Sequence, residues 1–327
     1  MQCPACRADQ PPENNYCEDC GTRLAPIGAA NGPPSGRPGG SCDRCGAGPE
    51  ALDGDGFCAR CGFQRVAPAS DHVKVVVSPG LAGVSDRGKR HHRNEDALAL
   101  ASCAGGDALV VCDGVSSSQN PDAAATAAAE AATAALADGL EKGVADPEAL
   151  IRGAIRSARA AVDTVPFVRA DTADPPETTI VMAVRRGRRI AVGWIGDSRA
   201  YHLGPEGVRP LTRDHSWAAE VVAAGEMTPD EAFRDPQAHA VMRTLGGPTG
   251  AHDDEPSFAA IDVPDGPGLL LLCSDGLWNY APEPEQIAEV VRSQPAGADA
   301  LAIARGLVDF ARDRGGRDNV TVAVLVL

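Results

Sequence analysis

The spacing of apolar and polar positions changes along the chain, and each change marks an element. Residues 73–77 form a valine-rich run that predicts a strand. Residues 108–112, Ala-Leu-Val-Val-Cys, are continuously apolar and stop at Asp113-Gly114, which predicts a buried strand leaving through an acidic turn. Residues 269–273 repeat that pattern and run into Ser274-Asp275-Gly276. Residues 178–184 and 190–195 read as two strands joined by the basic turn Arg185-Arg186-Gly187-Arg188-Arg189, a hairpin, and 320–327 reads as a closing strand. Between these runs the period lengthens. The alanine-rich stretch 123–140 follows Asn120-Pro121-Asp122, which supplies a capping Asn, a Pro for the first turn and an acid near the helix start. Asp146-Pro147-Glu148 opens a second helix with Leu150, Ile151, Ala154, Ile155, Ala158 and Val162 on one face. Further helices are predicted over 285–292 and 298–312, and Met227-Thr228-Pro229-Asp230-Glu231 reads as a helix start. Hairpins with separated helices predict an α+β fold, a pair of antiparallel sheets covered by helices rather than a doubly wound parallel sheet.

Before residue 72 this patterning is lacking and cysteine takes over. Eight cysteines form four Cys-x-x-Cys pairs, Cys3/Cys6, Cys17/Cys20, Cys42/Cys45 and Cys58/Cys61. A Cys-x-x-Cys turn aims two thiolates at one point, and two such turns complete a tetrahedron of soft ligands, the geometry zinc prefers. Gly21, Gly46 and Gly62 each follow a second cysteine, where a tight knuckle needs positive φ. The expectation is two structural zinc ribbons, residues 1–25 and 41–66, joined by the Pro/Gly-rich linker 26–40. Modules this small need metal to fold. The remaining domain is placed at 72–327. Cys103, Cys112 and Cys273 are scattered and read as small buried hydrophobes.

Composition then narrows the classes of function. The chain has 327 residues and a formal net charge of −15, so a phosphate-backbone partner would be repelled at long range. Residues 1–66 hold 6 basic and 8 acidic side chains, so the ribbons are expected to meet a protein partner rather than nucleic acid. No apolar stretch of about 18 residues occurs, so no membrane span is expected. The start Met1-Gln2-Cys3-Pro4 lacks the basic and apolar segments of a signal peptide, and a cytoplasmic location follows as the expectation.

Four acidic spots carry the candidate chemistry: Glu95-Asp96, Asp113-Gly114, Asp275-Gly276 and Asp318-Asn319. Two end buried apolar strands and the last precedes one. Carboxylates fixed at strand ends can converge, and converging carboxylates need a multivalent cation. With only oxygen ligands and no His-x-x-x-His pair, Mg²⁺ or Mn²⁺ is favoured over zinc in this part of the chain. The glycines are read as letting backbone carbonyls approach the ion.

The residues from about 73 to 327 resemble the metal-dependent (PPM-type, or type 2C) serine/threonine protein phosphatases. The resemblance rests on SDRGKRHHRNEDA (85–97), LVVCDG (109–114), ETT (177–179), GWIGDSRAYHL (193–203), LTRDHS (211–216), MRTLGG (242–247), LLLCSDGLW (270–278) and GGRDNVTVAVL (315–325), in the family's order. It implies a central sandwich of two antiparallel sheets flanked by helices, with the metals at one end. It also implies that Asp113 bridges two Mn²⁺ or Mg²⁺ ions. Asp275 and Asp318 would hold the first, Glu95 and the Gly114 carbonyl the second, and Asp96 would orient the attacking water from outside. Asp197 is read as either the holder of a peripheral third ion or a turn cap, the turn being the stronger reading. The implied activity is hydrolysis of phosphoserine and phosphothreonine esters in phosphoprotein substrates of a Ser/Thr kinase, with a metal-bridging water or hydroxide as nucleophile. The alternative is a pseudophosphatase or phosphoprotein-binding adaptor with weak turnover.

The chain departs from the family at the phosphate grip. Four residues before Glu95 the family usually has an arginine, and here the residue is His91, flanked by Lys89, Arg90 and Arg93. Arg90 and His91 are therefore the candidates for that task, and a weaker grip on small phosphate esters is expected, because an imidazole cannot fork onto two oxygens. Val115 and the serines after it stand where Met-Gly-Gly is common, and Glu177 replaces the usual Gly before the Thr pair. Residues 216–241 would form a flap beside the site, with His215 orienting it.

Overall fold

The computed structural model describes residues 42, 45–48, 51, 58–62, 71–168, 174–247, 255–264 and 266–327. Backbone contacts divide the chain into two units, Met1–Ser70 and Asp71–Leu327. The cysteines Cys3, Cys6, Cys17 and Cys20 and the linker 26–40 lie outside the described residues.

The second unit opens with β1 (His72–Ser78), β2 (Leu81–Asp86), β3 (Asp96–Cys103) and β4 (Gly106–Asp113), followed by helices α1 (Pro121–Glu141) and α2 (Pro147–Val162). Next come β5 (Glu177–Thr178), β6 (Ile180–Arg186), β7 (Arg189–Ile195), β8 (Arg199–Gly204) and β9 (Gly207–Pro210). Short helices α3 (Trp217–Ala223) and α4 (Pro229–Ala232) precede β10 (Leu245–Gly246), β11 (Ser257–Asp262) and β12 (Leu269–Cys273). The chain closes with α5 (Asp275–Trp278), α6 (Pro284–Arg292), α7 (Ala300–Asp313) and β13 (Val320–Val326).

The strands form a six-stranded sheet, β1-β2-β13-β12-β8-β9, and a five-stranded sheet, β11-β7-β6-β4-β3, with all pairs antiparallel. Three apolar layers explain why the central strands are apolar at every position. On β4, Leu109 and Val111 join β12 residues Leu270 and Leu272 between the sheets, whereas Ala108, Val110 and Cys112 face α1 and α2. On β12, Leu271 and Cys273 turn outward under α5, α6 and α7. Each sheet is thus covered on both faces, and the period-2 alternation separates two apolar destinations instead of an apolar and a wet one. The fold is the expected helix-flanked sandwich of antiparallel sheets.

One capping detail differs from expectation. Asn120 precedes α1 with φ 50°, and its side chain makes no cap bond to the helix. Its Nδ2 donates instead to Pro166 O at 2.7 Å, so a contact with a distant loop outcompetes the local cap. Asp146 does cap α2 as expected, accepting from Glu148 N.

In the first unit, Cys42, Cys45, Cys58 and Cys61 come together. Gly46 N donates to Cys42 O at 2.8 Å and Gly62 N to Cys58 O at 2.7 Å, which makes two matching knuckles. Both glycines have positive φ, 70° and 66°, as the turns require. All four sulfurs lie within 4.8 Å of one another.

Candidate active site

Strand register brings the acidic residues to one end of the sandwich. In the five-stranded sheet Asp96, first in β3, lies opposite Asp113, last in β4. In the six-stranded sheet Cys273 of β12 pairs with Val322 of β13, so Asp275 just past one strand and Asp318 just before the other leave at the same end. Ser274 ties the sheets together: its hydroxyl donates to Asp96 Oδ2 at 2.7 Å and accepts from Thr321 N at 3.0 Å.

Two glycines are needed here for close approach of chain to chain. A Cβ on Gly276 would meet Asn319 O at 1.8 Å, and one on Gly114 would meet Pro121 O at 2.5 Å and Glu95 O at 2.8 Å. They let the acidic turns nest against neighbouring backbone. Thr178 and Thr179 lie beneath: Thr178 Oγ1 donates to Asp113 O at 2.9 Å, Thr179 N donates to Asp113 O at 2.7 Å, and Thr179 Oγ1 accepts from Asp113 N at 3.2 Å. The Glu177 carboxylate accepts from Thr244 Oγ1 at 2.7 Å, which ties β5 to the residue that leads into β10.

The cluster is short of positive charge. Burial above all, with the nearby Asp318 and Asp275 carboxylates, pushes Asp96 up to about 7 against the hydrogen bonds from Ser274 and Thr321. Burial and repulsion from Asp318 likewise raise Asp275 to about 7, although Asp113 and Asn279 hydrogen-bond to it. Asp113 is raised by burial and by Asp96, Asp275 and Asp318, and Asp197 by burial and Asp275. Asp96 is 7% exposed, and its Oδ1 has no hydrogen-bond partner among the described residues. A buried oxygen left bare beside three further acids fits the surroundings of a hydrated hard divalent cation, with that oxygen facing a water and the other acids the ion. Among the described residues the four thiols are the group whose ligand atoms all lie within 4.8 Å, so the acidic oxygens are more widely spaced than the sulfurs.

The loop before β3 faces this cluster. Asn319 fixes it with three bonds: its Oδ1 accepts from Glu95 N at 2.7 Å, and its Nδ2 donates to Arg87 O at 2.8 Å and Arg93 O at 3.0 Å. His91 Nε2 lies 3.2 Å from Asp318 Oδ1, whereas Arg90 is exposed. Glu95 accepts from Arg93 Nε at 3.0 Å and from the Ser116 hydroxyl. Asn319, Arg93 and Ser116 lie in stretches the sequence marks, but their roles on Glu95 do not show there, because their partners depend on how the loop folds back.

Residues 216–241, the expected flap, are closed at their root by the pairing of Ser216 with Val241. His215 fixes that root: its N donates to Gly196 O at 2.9 Å, its O accepts from Met242 N at 2.7 Å, and Nδ1 accepts from Gly196 N at 3.0 Å. Its Nε2 lies 2.9 Å from Ser257 Oγ and 3.2 Å from Arg243 Nη1, which ties the root to β11 and to the segment after the flap. Burial and the Arg243 and Arg213 guanidiniums push the ring down to about 4, so it stays neutral near pH 7. Arg199 adds a fork onto Asp214 at 2.9 and 2.7 Å.

Comparison with known proteins supports the fold and points to a family. The serine/threonine protein phosphatase PstP of Mycobacterium tuberculosis is 33% identical over 254 residues, 77% of this chain and 46% of that protein, so the chain spans about half of that relative's length. The serine/threonine phosphatase stp of Listeria monocytogenes is 28% identical over 247 residues, 74% of this chain and 93% of that protein. The solved catalytic domain of PstP in complex with two manganese ions superposes with a TM-score of 0.54 at 28% identity, covering 76% of this chain and 97% of that one. The family model "Protein phosphatase 2C" matches residues 85–305, a span that takes in Glu95, Asp96, Asp113 and Asp275 and stops short of Asp318. Motif order, sandwich and family match coincide on the same residues, and the chain belongs to the protein phosphatase 2C family.

Proposed function

We propose that residues 72–327 form a metal-dependent phosphatase domain that hydrolyses phosphoserine and phosphothreonine esters of protein substrates. The observation that carries this reading is the meeting of Asp96, Asp113, Asp275 and Asp318 at one sandwich end with too little positive charge. Asp113, Asp275 and Asp318, with Glu95 and the Gly114 carbonyl, would hold two Mn²⁺ or Mg²⁺ ions. When bound, such ions supply positive charge against the phosphoryl oxygens and acidify water.

The chain's own groups then divide the work. Asp96 keeps Oδ1 bare, placed to accept a proton from a water aligned on the phosphorus, while Ser274 holds its other oxygen. Thr178 and Thr179 hold the Asp113 backbone in place from below. A covalent route through sulfur has no support here. Cys112 and Cys273 are buried, and burial raises both thiols above their ordinary value. The test is release of phosphate from a phosphothreonine peptide by the full chain. Turnover is expected with Mn²⁺ and is expected to stop in EDTA; equal turnover in both would reject the reading.

The substrate phosphate would be gripped by the loop 89–93. His91, held at Asp318, is better placed than exposed Arg90. His91→Ala is expected to raise KM for a small phosphate ester several-fold and Arg90→Ala to leave it near the parent value. If neither substitution changes KM or kcat, the loop takes no part in binding.

The four cysteines at 42, 45, 58 and 61 would hold a structural Zn²⁺. Cys42 and Cys61 sulfurs are 3.5 Å apart, as are those of Cys45 and Cys58. A tetrahedron with zinc–sulfur bonds of about 2.3 Å has edges of about 3.8 Å, so the set is close to ligand geometry. Residues 1–25 would form the matching ribbon through Cys3, Cys6, Cys17 and Cys20, and the pair would dock a protein partner.

A further inference from the structure

Both oxygens of Glu95 are engaged: Arg93 Nε donates to Oε1 at 3.0 Å, and the Ser116 hydroxyl donates to Oε2. Arg93 also reaches the first turn of α1, where Nη1 lies 3.4 Å from Asp122 Oδ1. The guanidinium is held at this place. Asn319 binds the Arg93 carbonyl at 3.0 Å and the Glu95 amide at 2.7 Å, so the backbone on both sides of the pair is fixed to the same side chain. Arginine keeps its charge at any working pH. The pair therefore offers an incoming cation much less negative charge than Glu95 alone would.

We infer that Arg93 is a built-in competitor for the divalent ion at Glu95, a positioning residue that sets how much Mn²⁺ or Mg²⁺ is needed to load that half of the site. The inference rests on the proposed ligand set and concerns this chain's own residues. In the other half, at Asp113, Asp275 and Asp318, the Arg199 guanidinium that acts on Asp275 is itself forked onto Asp214, so that half meets a less direct opposing charge and fills first. A unit charge about 5 Å from a divalent ion, even with water-like screening, changes affinity by about tenfold. Ser116 has no charge to oppose the ion, so it steers the Glu95 carboxylate and has little effect on how tightly the cation is held.

The test is a Mn²⁺ titration of the zinc-loaded full chain, with free Mn²⁺ read by electron paramagnetic resonance and no turnover required. The parent protein is expected to show a tight and a weak site. Arg93→Gln, nearly the same shape without charge, should tighten the weak site by about tenfold. Arg93→Lys should keep it weak, and Ser116→Ala should stay within about twofold of the parent. A damaged fold loosens metal binding, so a gain in affinity reports charge and not structure. Unchanged or weaker binding in Arg93→Gln overturns the inference, as does an equal gain in Arg93→Lys or Ser116→Ala. A parent chain that binds no Mn²⁺ removes the proposed site along with it, whereas two ions bound with Arg93→Gln unchanged removes only the role of Arg93.

Discussion

Asp113→Asn is expected to lower phosphopeptide turnover by about a thousandfold or more while making the metal-free protein more stable. The two effects have opposite signs because the same charge causes both. Asp113 lies opposite Asp96 in the β3–β4 register, and burial with Asp96, Asp275 and Asp318 raises its carboxyl well above the ordinary value. An asparagine matches the protonated acid in shape, removes one repelling charge and still offers a donor to Asp275. The fold is relieved and the cation loses its shared ligand. Function here is held against stability, as at many sites where like charges are gathered.

The stability half of that prediction has a pH window. Asp96 and Asp275 stand at about 7 in the fold against an ordinary 3.8. A carboxyl raised in the folded state binds more protons there than in the unfolded chain. Its contribution is therefore full below about 4 and is lost as pH rises to about 7. The melting temperature of the metal-free parent should fall between pH 5 and pH 8, and that of Asp113→Asn should fall less. Mn²⁺ binds the ionised form, so it should raise the parent's melting temperature more at pH 8. A substitution that cost activity only by disrupting packing would lower stability at both pH values, and that result would sink the argument.

How far the site could be read from the chain depended on the range of the contacts. Asp113-Gly114 and Asp275-Gly276 were legible because an apolar run that halts at an acid is a local signal, and the strand register then makes the ends meet. The glycines were legible as necessary for carbonyl approach to an ion, and the fold adds a second requirement, close packing of chain on chain. Gly276 lies against Asn319 O, a contact between segments more than forty positions apart that no local pattern encodes. The β8–β9 hairpin escaped notice because Arg199–Gly204 is buried on both faces, so it shows no apolar–polar alternation, and its buried positions include the polar-tipped Tyr201 and His202. Asn120 misled in the other direction: the residue type of a helix cap was present, but a loop carbonyl took its side chain. The clasp on Glu95 was hidden for the same reason as Asn319. Arg93 looks like one more basic residue in a basic turn until the loop folds back and sets it beside Glu95 and Asp122.

Cys58→Ser is expected to remove one zinc ion per chain and to unfold the residues around Cys42, Cys45 and Cys61. A segment this short buries little: among the described residues its apolar cluster comprises Cys42, Cys58 and Ala47 with Cys45, Ala51 and Cys61 packed on it, so the sulfurs are most of that cluster. On the proposed reading cohesion would come from the metal, since structural zinc in such modules contributes about 10–16 kcal/mol near neutral pH. A serine at 58 replaces a thiolate with a poor ligand and opens the tetrahedron. Zinc content measured by mass spectrometry should fall from two per chain to one, the remaining ion being that at Cys3, Cys6, Cys17 and Cys20. Cobalt substitution of the parent should give thiolate-to-cobalt charge-transfer absorption, reduced in the variant. The knuckles predict a second loss: Gly62→Val forces a branched side chain onto a φ of 66° and should weaken zinc retention without touching a ligand. Unchanged zinc in Cys58→Ser would mean the thiols meet for another purpose, because a four-sulfur site cannot lose a ligand without losing affinity.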